Sequence, residues 1–130
     1  MAVRLAFVRP HAEPHAGGPY DEVRFWREQL IADGKVLAHY ADSRWQLEGV
    51  ADRFSSVEFR DRVEVLFERK DGARSRAFGP YRGFRLMDGI AYENERVFAS
   101  FDRQHEDWYS HTLGIHWAMM TVLATTAAPD

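Results

Sequence analysis

The 130-residue sequence contains no cysteine. Disulfides, thiolate-ligated zinc, iron–sulfur clusters and cysteine nucleophiles are therefore excluded, and a reducing compartment, the cytoplasm, is predicted. No apolar run reaches the roughly 18 residues that a membrane-spanning helix needs, so we expect no membrane contact. Any catalysis within this chain is expected to use carboxylates, imidazoles and phenols.

The common nucleotide- and catalysis-related motifs are also missing. The sequence has no GxxxxGK[ST], GxGxxG, GxSxG or HExxH. Their absence argues against a P-loop NTPase, a dinucleotide-binding domain, an α/β-hydrolase and a zincin metalloprotease. We therefore expect no cofactor. No internal repeat is apparent, and the length predicts one domain over 1–130, with a loop at 10–19 and a flexible tail at 125–130.

Charge is unevenly distributed along the chain. The net charge of −3 divides into −1 over residues 1–43, +3 over 44–85 and −5 over 86–130. The sequence pI is about 6.1, which argues against a dedicated nucleic-acid-binding protein. A small-molecule ligand is the expected partner, and an exposed sheet edge would permit a homodimer.

One helix is predicted near the N-terminus. Pro19 and Asp21 resemble a helix start, and Gly34 a helix stop. Between them Val23, Trp26, Leu30 and Ile31 fall at helical spacing. The rest of the chain predicts strands, including a hairpin formed by 90–93 and 96–101 and a long strand over 57–68.

This order predicts an α+β fold in which the N-terminal helix packs on a curved antiparallel sheet of five to seven strands. The arrangement is the cone-like one of nuclear-transport-factor-like and cystatin-like proteins. A small antiparallel β-barrel is the alternative. Both architectures place a pocket against the concave face of the sheet.

Asp61 is the most unusual residue of the predicted strand 57–68. It falls on the face that otherwise carries Val57, Phe59, Val63, Val65 and Phe67. A carboxylate on an apolar face is partly desolvated, which raises its pKa and suits acid–base catalysis. Asp88, Tyr92 and His39 are expected to join it in a catalytic site. The alternatives are a β-bulge that turns Asp61 to water and a buried pair with an arginine.

Two further clusters are candidates for binding. Histidines and carboxylates alternate with aromatic residues over 105–117, but no metal is expected, because the spacings match no metal-ligand motif. His105, His111 and His116 are the alternative metal ligands. Arg74, Arg76, Arg82 and Arg85 lie in a stretch without acidic residues, and are candidates for binding an anion.

The sequence therefore predicts a protein that binds a small apolar or aromatic molecule between sheet and helix. If it is an enzyme, we expect a cofactor-independent isomerase, cyclase or lyase such as a dehydratase. The alternative is a non-enzymatic protein–protein interaction module, such as an inhibitor, immunity or assembly protein. Its interface would be the acidic, aromatic C-terminal third, with Trp108, Tyr109 and Trp117 exposed.

Overall fold

The computed structural model describes residues 2–125, which form sixteen β-strands and no helix. The first eight strands are β1 (Val3–Val8), β2 (His15–Tyr20), β3 (Glu22–Trp26), β4 (Gln29–Ala32), β5 (Lys35–Ala41), β6 (Arg44–Leu47), β7 (Arg53–Phe54) and β8 (Ser56–Phe59). The second eight are β9 (Val63–Glu68), β10 (Phe78–Tyr81), β11 (Phe84–Met87), β12 (Ile90–Glu93), β13 (Arg96–Asp102), β14 (Asp107–Ser110), β15 (Ile115–Trp117) and β16 (Met119–Ala124).

The predicted α+β fold is wrong, because the proposed helix is a β-hairpin. Residues 22–26 and 29–32 pair as β3 and β4, with Phe25 opposite Leu30. Gly34, interpreted as a helix stop, instead forms a two-residue hairpin turn with Asp33, in which both residues have positive φ. Val23 and Phe25 point inward while Arg24 and Trp26 point outward, so the true period is two. The barrel-like alternative is compatible with this all-β architecture.

The strands form two antiparallel eight-stranded sheets. Sheet A has the order β15-β14-β13-β12-β11-β8-β1-β2, and sheet B the order β10-β9-β16-β3-β4-β5-β6-β7. Aromatic side chains join the sheets: Phe67 of sheet B stacks on Phe98 of sheet A at 5.4 Å, and Phe25 lies 6.1 Å from Trp108. The core therefore lies between the sheets, in a sandwich.

The sandwich has an internal two-fold pattern that the sequence analysis did not find. Strands β1 to β8 and β9 to β16 follow the same order of connections, and each half contributes three strands to one sheet and five to the other. Strands β4 and β12 begin 61 residues apart (at 29 and 90), as do β5 and β13 (at 35 and 96). Gly18-Pro19-Tyr20 ends β2, and Gly79-Pro80-Tyr81 ends β10. Each sheet is therefore built from both halves of the chain.

The predicted strand over 57–68 is divided between the two sheets. Its first part belongs to β8 in sheet A, and its second part is β9 in sheet B. The alternation continues through both parts because in each sheet the odd-numbered side chains point into the common core. Asp61 lies at the crossing, between the two strands.

Other predicted elements have mixed outcomes. The hairpin over 90–101 is confirmed by β12 and β13. The predicted loop at 10–19 includes most of β2, which begins at His15. Apart from Thr125, the predicted tail lies outside the described residues. No helix in the part of the chain that the structure describes could cross a membrane.

Candidate functional site

Asp61 forms an ion pair with the side chain of Arg4 on β1 and also accepts a hydrogen bond from its backbone. Its Oδ1 accepts a hydrogen bond from Arg4 Nη2 at 2.7 Å, and its Oδ2 accepts one from the Arg4 backbone N–H at 2.8 Å. These bonds lower the pKa of the Asp61 carboxyl below its ordinary value, against a smaller opposing effect of burial. Asp61 is therefore ionised, and its bonds to Arg4 attach the segment between β8 and β9 to β1.

We expect Asp61→Asn to reduce stability in a pH-dependent way. The carboxyl has a lower pKa in the folded protein than its ordinary 3.8, so its stabilising effect is present above that pH and is lost as the pH falls through the folded value. At pH 7 the variant should melt a few degrees lower than the parent protein, and the difference should shrink as the pH falls below 3.8 through the lower pKa of the folded state. Thermal unfolding measured from pH 7 to pH 2 tests this. Glu58→Gln, on exposed β8 surface, is the control, and equal losses in both variants would contradict the assignment.

The other predicted catalytic residues lie apart from Asp61. Tyr92, on β12, packs under the guanidinium of Arg85, 4.6 Å from its ring centroid. His39, on β5 in the other sheet, has its Nε2 2.7 Å from Glu48 Oε1. Asp88 occupies the turn between β11 and β12, with φ of 53°. The structure thus distributes these side chains over two sheets and a turn.

The four arginines proposed for anion binding also have separate surroundings. Arg74 pairs with Glu68 at 3.0 Å, and Arg76 lies 5.4 Å above the ring of Phe78. Arg85 contacts Tyr92, and Arg82 is exposed beside Gly83. The aromatic residues between them serve the core and the cation–π contacts rather than one shared binding surface.

The interior is filled by side chains. A cavity of about 10 Å³ lies between the two sheets beside Trp45 and Trp108, which occupy matching positions in the two halves. That space suffices for about one water molecule. Trp108 and Trp117 are 3% and 6% exposed, so the tryptophans of the predicted aromatic interface belong to the core.

An open groove of about 700 Å³ lies on the outer face of sheet B. Its floor crosses β9, β16, β3 and β4. On the first three of these strands Glu68, Met119 and Trp26 occupy directly opposed positions. These side chains point outward because Phe67, Met120 and Phe25, one residue away on each strand, point into the core. The turn between β13 and β14 forms one wall with His105 and Glu106.

Basic side chains dominate the rim of this groove. Arg24, Arg27, Arg69 and Lys70 all line it. Among residues 2–125, the side chains of Arg69 and Lys70 have no hydrogen-bond or ion-pair partner. Arg27 lies over the Trp26 ring at 4.7 Å, and its nearest carboxylate, that of Glu106, is 3.9 Å away. Arg24 pairs with Glu22, its Nε lying 2.9 Å from Glu22 Oε1. The positive charge that is free to meet an anion is therefore that of Arg69 and Lys70.

A cluster of histidines and carboxylates adjoins the same groove. His105 lines it, while His116 and Asp107 line a neighbouring depression that shares Arg69 and Lys70 with it. His105 Nδ1 lies 2.8 Å from Asp102 Oδ2, and this carboxylate raises the pKa of His105. His111 instead contacts Ser100 Oγ through Nε2 at 2.8 Å. Two of the three predicted histidines therefore come together.

Several site residues were missed by the sequence analysis. Arg24 and Trp26 were assigned to a helix, and Asp102 was not considered. The available signal was strand alternation around Asp33-Gly34, which identifies a hairpin and places Arg24 and Trp26 on its outer face. Nothing local indicated that the β13–β14 turn would reach the end of β9, because that contact depends on how the sheets stack.

Comparison with known proteins gives no relative from which a function could be transferred. No known protein-family model, curated protein or solved structure matches this chain.

Proposed function

We propose that this protein is a non-enzymatic interaction module that holds an acidic, extended segment of a partner protein in the groove on sheet B. The observation that carries the proposal is the pair of basic side chains, Arg69 and Lys70, that have no partner within residues 2–125 and face the groove beside Arg24 and Arg27. Unpaired basic side chains at a rim attract a segment of opposite charge.

The shape of the groove favours a polypeptide over a small molecule. Small-molecule sites bury most of their ligand in a concave pocket, whereas this groove is open along the face of a sheet. Its floor spans four strands, β9, β16, β3 and β4, which is about 14 Å at the usual strand spacing. An extended segment covers that distance with about four residues. Trp26, 39% exposed, offers an aromatic surface for an apolar side chain of that segment.

The overall charge of −3 favours an acidic peptide over a nucleic acid, because dedicated nucleic-acid-binding domains are strongly basic. The interface differs from the one that the sequence predicted. The acidic C-terminal third contributes one wall, and basic residues of β3 and of the turns that follow β3 and β9 supply the charge. Cytoplasmic location and a homodimer stay predictions.

A fluorescently labelled peptide of six glutamates tests the proposal by anisotropy at low salt. We expect saturable binding that weakens with salt and falls about tenfold or more in Arg69→Ala/Lys70→Ala. The matched control is Arg82→Ala/Arg96→Ala, which removes the same charge from exposed positions outside the groove.

Three outcomes would overturn the proposal. One is an equal loss of binding in both double variants, which would indicate attraction by overall charge alone. Another is tighter binding of a single-stranded oligonucleotide with six phosphates than of the peptide. The third is binding of free glutarate as tightly as the peptide, which would indicate a small-anion site.

A further inference from the structure

The turn between β13 and β14 brings two carboxylates face to face. Asp102 and Asp107 are directly opposed residues of these antiparallel strands. Like charges at opposed positions repel each other and destabilise the pair. Each carboxylate forms a hydrogen bond with one imidazole. His105 Nδ1 is 2.8 Å from Asp102 Oδ2, and His116 Nδ1 is 2.8 Å from Asp107 Oδ1.

The two imidazoles also lie close to each other. The ring centroids of His105 and His116 are 5.3 Å apart, and His116 Nδ1 is 4.0 Å from Asp102 Oδ2. One ligand atom from each of Asp102, His105 and His116 lies within 4.8 Å of the others. The Tyr109 ring packs 5.1 Å from that of His116 and fixes its position on the sheet. The three side chains are therefore close enough to be candidate ligands of one ion.

The first half of the chain provides an internal comparison. Strands β5 and β6 are joined by two residues, Asp42 and Ser43, whereas β13 and β14 are joined by four. The positions matching Asp102 and Asp107 are Ala41 and Arg44, which are likewise directly opposed. The position matching His116 is Arg53, because Gln46 pairs with Arg53 as Tyr109 pairs with His116. The first half thus has arginines where the second has an acid and an imidazole.

We propose that Asp102, His105 and His116 bind one divalent transition-metal ion, zinc(II) being the best match. Asp107 keeps its bond to His116 Nδ1 and orients the ring, so that His116 coordinates through Nε2. Two imidazoles and one carboxylate form a donor set suited to zinc and its neighbours. A carboxylate bonded to the second nitrogen of a ligating imidazole is a common supporting contact in such sites. This site goes beyond the interaction proposed above and does not depend on it.

The charges of the cluster agree with a divalent ion. Two neutral imidazoles with Asp102 and Asp107 carry a net charge of −2, which one divalent cation neutralises. Calcium and magnesium prefer sites made of oxygen ligands, so two nitrogen ligands disfavour both. The ligands are partly exposed at the end of the groove, which leaves coordination positions open to solvent or to a bound group.

Titration of chelator-treated protein with zinc chloride by calorimetry, and with cobalt chloride by visible absorption, tests the proposal. We expect one equivalent of zinc to bind and cobalt to give a ligand-field spectrum. His105→Ala and His116→Ala should each weaken zinc binding by more than tenfold, and Asp107→Asn by about tenfold. His105 and His116 are exposed, so these variants are expected to fold, and circular dichroism checks this.

His39→Ala is the matched control, since His39 is an exposed histidine paired with a single carboxylate, Glu48, in the first half of the chain. It should leave zinc binding unchanged. Zinc affinity within twofold of the parent protein in His116→Ala would overturn the proposal. So would an equal loss in His39→Ala, or binding of calcium in preference to zinc.

Discussion

Phe25→Ala is expected to destabilise the protein by about 3–5 kcal/mol, the usual range for removing a buried phenylalanine. The Phe25 side chain has no exposed surface and lies on β3 in sheet B. Its ring contacts those of Trp45, Phe59 and Trp108 at centroid distances between 5.9 and 6.2 Å. Phe59 and Trp108 belong to sheet A, so the substitution opens a cavity where the sheets meet. Urea unfolding followed by tryptophan fluorescence measures the loss.

Trp26→Ala is the matched control, because the neighbouring side chain points outward and is 39% exposed. We expect it to cost about 1 kcal/mol or less. The comparison also distinguishes the hairpin from the helix predicted by sequence, in which Trp26 belongs to the buried stripe and Phe25 does not. A larger loss for Trp26→Ala than for Phe25→Ala would contradict the hairpin.

Gly79→Ala is expected to cost about 2–6 kcal/mol, from two effects that add. Gly79 has φ of 114°, where a side chain is strained by about 1–3 kcal/mol. A Cβ there would also lie 2.8 Å from the backbone oxygen of Val63 on β9. Relieving that contact requires β9 and β10 to separate, which costs a further 1–3 kcal/mol by analogy with overpacking. Thermal and urea unfolding of the variant measure the sum.

Gly72→Ala separates the two effects. Gly72 has a φ of 88°, but an added Cβ would meet no atom within 4 Å. Its substitution should therefore cost only the conformational strain. Gly18, the matching residue of the first half, would place a Cβ 2.9 Å from the Val3 backbone oxygen, so Gly18→Ala should resemble Gly79→Ala. Equal losses for Gly72→Ala and Gly79→Ala would show that the close backbone approach has no energetic effect.

Local patterns predicted individual strands better than they predicted the overall fold. Alternation identified the inward faces of β8 and β9, because burial against one core gives the same period in either sheet. The same alternation could not reveal that Asp61 marks a crossing between sheets, since a change of sheet leaves the pattern unbroken. The pairing of Arg4 with Asp61, 57 residues away, is a property of the tertiary structure.

The sequence predicts a helix over 19–34 because part of it fits both the helical period of 3.6 residues and the strand period of two. Val23 and Leu30 are buried in either interpretation, and Pro19 and Gly34 occur at helix ends as well as in turns. Phe25, which breaks the helical stripe, and the Asp33-Gly34 pair favour the hairpin. Tertiary pairing with β16 and β5 then fixes it as two strands.

The candidate sites were the hardest to predict, because they depend on which turns meet. His105 and His116 were identified as chemically suitable residues, but their approach requires β13, β14 and β15 to be neighbours. Asp102 is three residues before His105 and becomes relevant only through the four-residue turn. The basic groove needs β9 and β3 placed on either side of β16, an order that local sequence does not reveal.

The position of β16 has a consequence for biosynthesis. This strand pairs with β9 on one side and with β3 on the other. It therefore links the β10-β9 pair to the β3–β7 part of sheet B. It is translated after the other fifteen strands described. While it is still inside the ribosome, β3 and β9 each present an unpaired edge of the kind that promotes aggregation. Sheet B can therefore be completed only once residues 119–124 have left the ribosome. Chaperone contact before that point would protect the unpaired edges of β3 and β9.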